Sequence, residues 1–230
     1  MIGENFREVL GKIEVAKQRR VRVPKDAPVT LVAVTKNHDI AAMREAIDAG
    51  AEHIGENRVQ EAKEKFSELE RDVTWHLIGH LQTNKAKQAV KMFKLIHSVD
   101  SFHLAKAING AAAVLGKTQE VLVQVNLYGE ETKFGCDKEE LLPLLKGIDA
   151  LENLKLRGLM LIAPNFEDKE AARPLFKEMY DIFTNIKKMP WERADITELS
   201  MGMTGDYEIA VEEGATIVRV GTGIFGARNY

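Results

Sequence analysis

The sequence predicts a (β/α)8 barrel. Three observations carry that expectation: eight short apolar runs of strand character separated by helical patterns, a primary amine closing the first run, and a glycine-rich turn closing the last. Strands that alternate with helices imply parallel βαβ units. Eight such units in 230 residues lie near the roughly 250 residues usual for a closed barrel. The rival, an open doubly wound sheet, more often carries its glycine-rich turn after the first strand. Here the first strand runs into Lys36-Asn37-His38 and the glycines follow the eighth, which favours closure.

The chain opens on a helical pattern from Asn5 to about Val21, with Phe6, Val9, Leu10, Ile13, Val15 and Ala16 on one stripe. Its basic end, Lys17, Arg19, Arg20 and Arg22, reads as a solvated helix terminus with cations near the negative end of the dipole. After Pro28 the strands are expected at Val29–Thr35, His53–Glu56, Thr74–Gly79, Leu95–Val99, Glu120–Leu127, Leu156–Ala163, Ile196–Met201 and Thr216–Val220. The intervening helices are expected at Ile40–Ala49, Arg58–Glu70, Asn84–Phe93, Phe102–Leu115, Lys138–Ala150, Lys169–Lys188 and Asp206–Glu213. Asp39, Thr83, Ser101, Asp137, Asp168 and Thr204 are their candidate caps. Gly50, Gly116 and Gly214 follow helix ends, where a left-handed residue commonly terminates the coil. With no linker or low-complexity stretch, residues 1–230 are expected to form one domain.

Composition is that of an ordinary globular protein, 45% hydrophobic and 29% charged. A formal net charge of −3 leaves no electrostatic footprint for nucleic acid or an acidic membrane surface. Cys136 is the only cysteine, so no internal disulfide forms and a reducing compartment fits. The start, Met1 to Phe6, lacks the features of a signal peptide, and no apolar run approaches the ~18 residues of a membrane span. The expected location is the cytoplasm.

Barrel enzymes place their chemistry at the C-terminal ends of the strands, with a phosphate site commonly after strands seven and eight. Strand seven leads to Ser200-Met201-Gly202-Met203-Thr204 and strand eight to Gly221-Thr222-Gly223-Ile224-Phe225-Gly226. Glycines let backbone amides approach an anion, hydroxyls add donors, and a helix starting near Asp206 would offer its amino end. Lys36 offers an amine able to hold an aldehyde if part of it is neutral at working pH. Brought together, amine and anion turn suit pyridoxal phosphate; apart, they are a solvated lysine and two tight turns. Arg219 stands in the apolar run Ile217-Val218-Arg219-Val220 and is costly to bury unpaired. It either meets a carboxylate such as Glu56 or hydrogen-bonds a pyridine nitrogen. Asn57, at the end of strand two, reaches the barrel mouth. Lys133-Phe134-Gly135 sets a second amine on a loop near the same face, beside Cys136, which carries no nucleophile spacing. His76 and His80 have the spacing of a zinc-binding helix, but their segment reads as a strand, which argues against a metal.

These segments resemble the YggS/PROSC (PLPBP) family of pyridoxal-phosphate-binding proteins, also called pyridoxal phosphate homeostasis proteins. The matching stretches are Ala33-Val34-Thr35-Lys36, Gly55 to Glu61, Trp75 to Lys85, Lys133-Phe134-Gly135, Gly158-Leu159-Met160, Leu199 to Thr204 and Val218 to Gly226. They follow in order from about Val29 to Arg228. The resemblance implies a single TIM barrel like the N-terminal domain of alanine racemase, preceded by an extra helix. It implies that Lys36 is the Schiff-base lysine and that Arg219 meets the pyridine nitrogen. It also implies that Ser200, Gly221 and Thr222 help hold the phosphate, that Asn57 lies near the cofactor, and that Met201 belongs to the same cofactor-binding set.

The family is associated with vitamin B6 balance, without an assigned reaction. The resemblance therefore implies a carrier or buffer of pyridoxal 5'-phosphate that passes it to apo-enzymes; transfer needs attack by another amine, and Lys133 is the candidate relay. The alternative is an amino-acid racemase; against it, no second domain is expected here to supply an acid/base group on the opposite face. A barrel binding a phosphorylated ligand without aldehyde chemistry is the third reading. A closed barrel has no edge strands to pair, so a monomer is expected.

Overall fold

The computed structural model describes residues 1–129 and 134–226. In chain order its elements are α1 (Ile2–Gln18), β1 (Thr30–Val34), α2 (Ile40–Asp48), β2 (His53–Glu56), α3 (Val59–Glu68), β3 (Thr74–Leu77) and α4 (Ala86–Met92). There follow β4 (Leu95–Val99), α5 (Phe102–Val114), β5 (Gln119–Val125), α6 (Lys138–Asp149), β6 (Leu154–Leu161), α7 (Arg173–Lys187), β7 (Glu198–Met203), α8 (Tyr207–Glu212), β8 (Ile217–Val220) and α9 (Thr222–Phe225). Each strand pairs in parallel with its neighbours in sequence, and β8 returns to β1, so the sheet closes into a barrel in the order β1 to β8. The eight expected strands are all present, two with the expected bounds and the others with ends displaced by at most two residues.

The strands are apolar on both faces because both are covered, the outer by helices and the inner by the opposite wall. The larger core lies between barrel and helices and takes in Phe6, Ile54, Ile108, Phe176 and Val218. The barrel interior holds only a small apolar cluster, Val32, Leu95, Leu122, Met160 and Ile217. His76, His97, Ser200 and Arg219, on β3, β4, β7 and β8, are buried polar residues of the same barrel. Asp39 and Ser101 cap α2 and α5 by accepting from Ala42 and Leu104 N–H. Asp168 caps the short 3-10 turn before α7, whereas Thr204 caps no helix and turns to the glycines after β8. Among the described residues, no helix is long and apolar enough to cross a membrane.

The basic end of α1 departs from expectation at Arg20. Only 4% of this residue is exposed. Its guanidinium donates to the carbonyls of Val211, Pro24, Ala27 and Ala215 at 2.8–3.1 Å. These carbonyls belong to the end of α8, the approach to β8 and the loop after α1, and a forked five-donor group satisfies them together. Arg20→Met is therefore expected to lower stability by about 2–4 kcal/mol, since it leaves buried acceptors unpaired. Urea unfolding measures it, and a loss below ~0.5 kcal/mol would return Arg20 to the class of surface cations.

Candidate functional site

One cavity of about 700 Å³ opens where the strands end, lined by residues at or just after β1, β2, β3, β5, β6, β7 and β8. Lys36, Asn57, Arg219, Gly221 and Thr222 all lie on its wall. The fold thus brings the amine from the first strand and the glycine turn from the last into one space, as β1–β8 pairing requires.

Lys36 projects from a clamped segment. Thr35 is fully buried; its hydroxyl donates to Glu56 (2.5 Å) and its carbonyl accepts from Lys65 Nζ (2.7 Å). Lys65 also donates to Glu56 (2.8 Å) and Glu61 (2.6 Å), and Glu61 accepts from the Asn37 N–H (2.5 Å). The backbone on both sides of Lys36 is therefore held by one ionic network. Asn37 adopts φ +62°, a left-handed conformation that asparagine tolerates better than most residues. Burial pushes the Glu56 carboxyl up, against the pull of Lys65 and Thr35. Glu56 is thus the partner of Lys65 and not of Arg219.

Arg219 is 2% exposed. It donates through Nη1 to Ser200 Oγ and through Nη2 to the Leu161 carbonyl (2.9 Å). Burial pulls its guanidinium down to about 10, with the Asp206 carboxylate opposing, so it stays charged at neutral pH. Ser200 sits beneath Arg219 in the barrel interior, and its hydroxyl also meets His97 Nδ1 (2.9 Å). The Met201 side chain packs in the outer core, as strand alternation requires of its position. Neither side chain is on the cavity wall, which β7 supplies through Met203 and the following Thr204 and Gly205.

The anion turn is built from three segments. The N–H groups of Gly221 and Gly223 both point at Thr204 Oγ1, at 3.2 and 3.4 Å. A Cβ on Gly223 would come within 2.9 Å of Val220 Cγ1 and 3.2 Å of Thr204 Cγ2, so the cradle admits only glycine without adjustment. Asp206 accepts from the Met203 N–H (2.7 Å) and closes the turn carrying Thr204. From the other end of the chain, Asn5 Nδ2 donates to the Ile224 carbonyl (2.9 Å) and ties α1 to α9.

Sequence reasoning missed part of the wall. His80 stacks on Phe134 (centroids 3.9 Å, interplanar 11°), and both border the cavity with Gln124, Ile162 and Asn165. Two of these were readable by alternation: Gln124 shares a face with Leu122, and Ile162 shares one with Met160. His76, the other member of the zinc-like spacing, lies inside the barrel against His53 and His97. Lys133 lies outside the described residues, as does Arg228.

The donor set fits pyridoxal phosphate. An amine faces the same space as a glycine turn and the hydroxyls of Thr204 and Thr222, suited to a phosphate, and a buried guanidinium supplies donors for a ring nitrogen. Fold and cavity together define a parallel (β/α)8 barrel of the cofactor-binding kind, with its anion turn after the eighth strand. The chain matches the alanine racemase N-terminal domain over residues 16–229. It is 40% identical to the pyridoxal phosphate homeostasis protein of Aquifex aeolicus (strain VF5), across 99% of this chain and 98% of that one. It is 35% identical to the protein of that name from Escherichia coli (strain K12), across 100% and 97%. The chain belongs to the alanine racemase N-terminal domain family and, within it, to the pyridoxal phosphate homeostasis proteins. PipY of Synechococcus elongatus PCC7942, solved with PLP bound, aligns at a TM-score of 0.86 and 40% identity, covering 98% of this chain and 100% of that one. Alanine racemase from Clostridium difficile 630 shares the fold at a TM-score of 0.71 and 18% identity, covering 99% of this chain and 60% of its own.

Proposed function

We propose that this chain binds pyridoxal 5'-phosphate as a Schiff base on Lys36 and acts in cytoplasmic vitamin B6 homeostasis as a carrier or buffer of the cofactor. One observation carries the reading: Lys36, Arg219, Gly221 and Thr222 wall a single cavity. The relatives named for pyridoxal phosphate homeostasis, and the PLP-bound structure of PipY, support it.

Bound pyridoxal phosphate supplies a reactive aldehyde and an electron-withdrawing ring. The protein's part is to hold it. The Glu56–Lys65–Glu61 clamp fixes the backbone that carries the Lys36 amine. The amides of Gly221 and Gly223 hold Thr204 by donating to its Oγ1, and the hydroxyls of Thr204 and Thr222 on the cavity wall offer donors to an anion. Asn57 borders the same space. Arg219 has donors and no acceptor, so a ring nitrogen set against it stays unprotonated and the ring is a weaker electron sink. That arrangement favours storage over turnover. Recipients would be apo-enzymes whose own lysine takes the aldehyde, with Lys133 as a candidate relay, and the carrier would act as a monomer.

The competing reading, an amino-acid racemase, differs in a measurable way. Incubated with cofactor and a panel of amino acids in deuterium oxide, a carrier is expected to exchange Cα–H no faster than free pyridoxal phosphate. Exchange about 100-fold faster for any amino acid, the least that a positioned acid or base contributes, would make it an enzyme.

A further inference from the structure

A line of buried polar side chains crosses the barrel beneath the cofactor cavity. His53 Nδ1 lies 3.0 Å from His76 Nε2, and His76 Nδ1 lies 2.9 Å from His97 Nε2. His97 Nδ1 lies 2.9 Å from Ser200 Oγ, which accepts from Arg219 Nη1. His76, His97, Ser200 and Arg219 are each at most 3% exposed. At its outer end the line reaches the opposite mouth of the barrel, where His53 and His76 border a second cavity of about 210 Å³ with Glu120, Arg157 and Glu198. At its inner end it reaches Arg219 on the cofactor wall. Barrel interiors are usually packed with branched apolar residues, so four consecutive polar partners there need a reason. A metal does not supply one: among the described residues no three His, Cys, Asp or Glu side chains are grouped to hold an ion.

The chemistry of the end member fixes the direction of every bond. A guanidinium only donates, and a neutral imidazole has one donor and one acceptor. Arg219 only donates to Ser200, and His97 Nδ1 is the one remaining partner of that fully buried hydroxyl, so the Ser200 proton is satisfied only by donating to a bare His97 Nδ1. His97 then carries its proton on Nε2 and donates to His76 Nδ1. By the same rule His76 donates from Nε2 to His53 Nδ1, and the last proton sits on His53 Nε2 at the far mouth. Burial keeps the rings neutral: His76 is pushed down to about 3 and His97 well below its ordinary value. All acceptor ends therefore face Arg219, an alignment that favours a cation buried against a hydroxyl and a carbonyl.

We propose that His97, His76 and His53 are positioning residues, a one-way hydrogen-bond relay that fixes Ser200 as the acceptor for Arg219 and so holds the guanidinium toward the cofactor ring. The orienting role rests on the cofactor reading above; the direction of the relay does not.

The test has two arms. In the apoprotein, ¹⁵N-histidine NMR at neutral pH is expected to show all three rings neutral with the proton on Nε2. A proton on Nδ1 of His97 or His76 overturns the relay. In the loaded protein, His97→Leu is expected to weaken pyridoxal phosphate affinity about tenfold, the least expected from disturbing a hydrogen bond to a charged group. The absorption band of the bound cofactor is expected to shift, while the borohydride-fixed yield at saturation persists. His97→Gln, which keeps one donor and one acceptor, is expected to restore the band. A His97→Leu protein with lowered melting temperature but an unchanged band would reduce the histidines to packing and overturn the proposal. Should His97→Leu not fold, Ser200→Ala leaves the histidines intact and is expected to shift the band likewise; an unchanged band there has the same overturning force. If the wild type takes up no pyridoxal phosphate, the cofactor reading and the orienting role fall together, while the NMR arm still reports the direction of the bonds.

Discussion

Lys36→Ala is expected to abolish the adduct that borohydride fixes between this protein and pyridoxal phosphate. Peptide mass mapping of the wild type should find one phosphopyridoxyl group, on Lys36, because that amine shares its cavity with the anion turn. The nearby Lys65 is no substitute: its ammonium is spent on the Thr35 carbonyl, Glu56 and Glu61 within 2.6–2.8 Å. Lys65 also lies off the wall of the cavity that Lys36 lines. An adduct of unchanged yield in Lys36→Ala would move the anchor to another lysine, Lys133 first among them. Labels scattered over surface lysines in the wild type would bring forward a barrel that holds a phosphorylated ligand without aldehyde chemistry. Loss of the adduct with retained noncovalent binding is the expected pattern, since the phosphate cradle is built from separate strands.

Gly79→Ala should damage both the site and the fold. A Cβ at Gly79 would lie 2.3 Å from the Asn57 carbonyl oxygen and 2.7 Å from its Cα, and backbone cannot rotate away as a side chain would. The β2 end must move by about an ångström, and Asn57 leaves its place on the cavity wall; displacements of that size cost up to ~100-fold where geometry matters. The expected result is at least tenfold weaker binding of pyridoxal phosphate and a stability loss of about 2–3 kcal/mol, as for other overpacked interiors. Gly110→Ala is the matched control. Gly110 lies in α5 with open space around its Cβ direction. The same substitution there should raise stability by roughly 0.5–1 kcal/mol and leave binding alone. Equal effects at the two positions would mean that the contact with Asn57 carries no special strain.

The strand order was legible because each run is apolar, short and followed by a helical period, and that pattern survives without knowledge of tertiary contacts. What escaped depended on partners distant in sequence. Arg20 looked like a surface charge because nothing local shows that the carbonyls of Val211 and Ala215 lack other donors. α9 is four residues long, too short to display a period. Lys36, Asn57, Gly221 and Thr222 are legible as strand ends and a glycine turn, and Arg219 as a charge in an apolar run; the structure places all five on the wall of one cavity. Ser200 belongs to the right segment, but strand alternation turns its hydroxyl inward beneath Arg219. The histidine line left a trace in the spacing of 23 and 21 residues between its rings, about one strand-helix unit each. Contact between them follows from the stagger of neighbouring strands, which composition and periodicity do not encode.

The bond from Asn5 to the Ile224 carbonyl, together with β1–β8 pairing, has a consequence for how the protein comes into being. On a ribosome, Lys36, the amine proposed to take the aldehyde, emerges early, and the turn proposed to take the phosphate emerges only after seven further strands. Such far-separated pairings form late in folding. A nascent chain therefore exposes an amine with no cup around it, and selective capture begins only when the barrel has closed. On the proposed reading, loading belongs to the finished molecule, and cofactor supplied during translation should gain it no advantage over cofactor supplied afterwards.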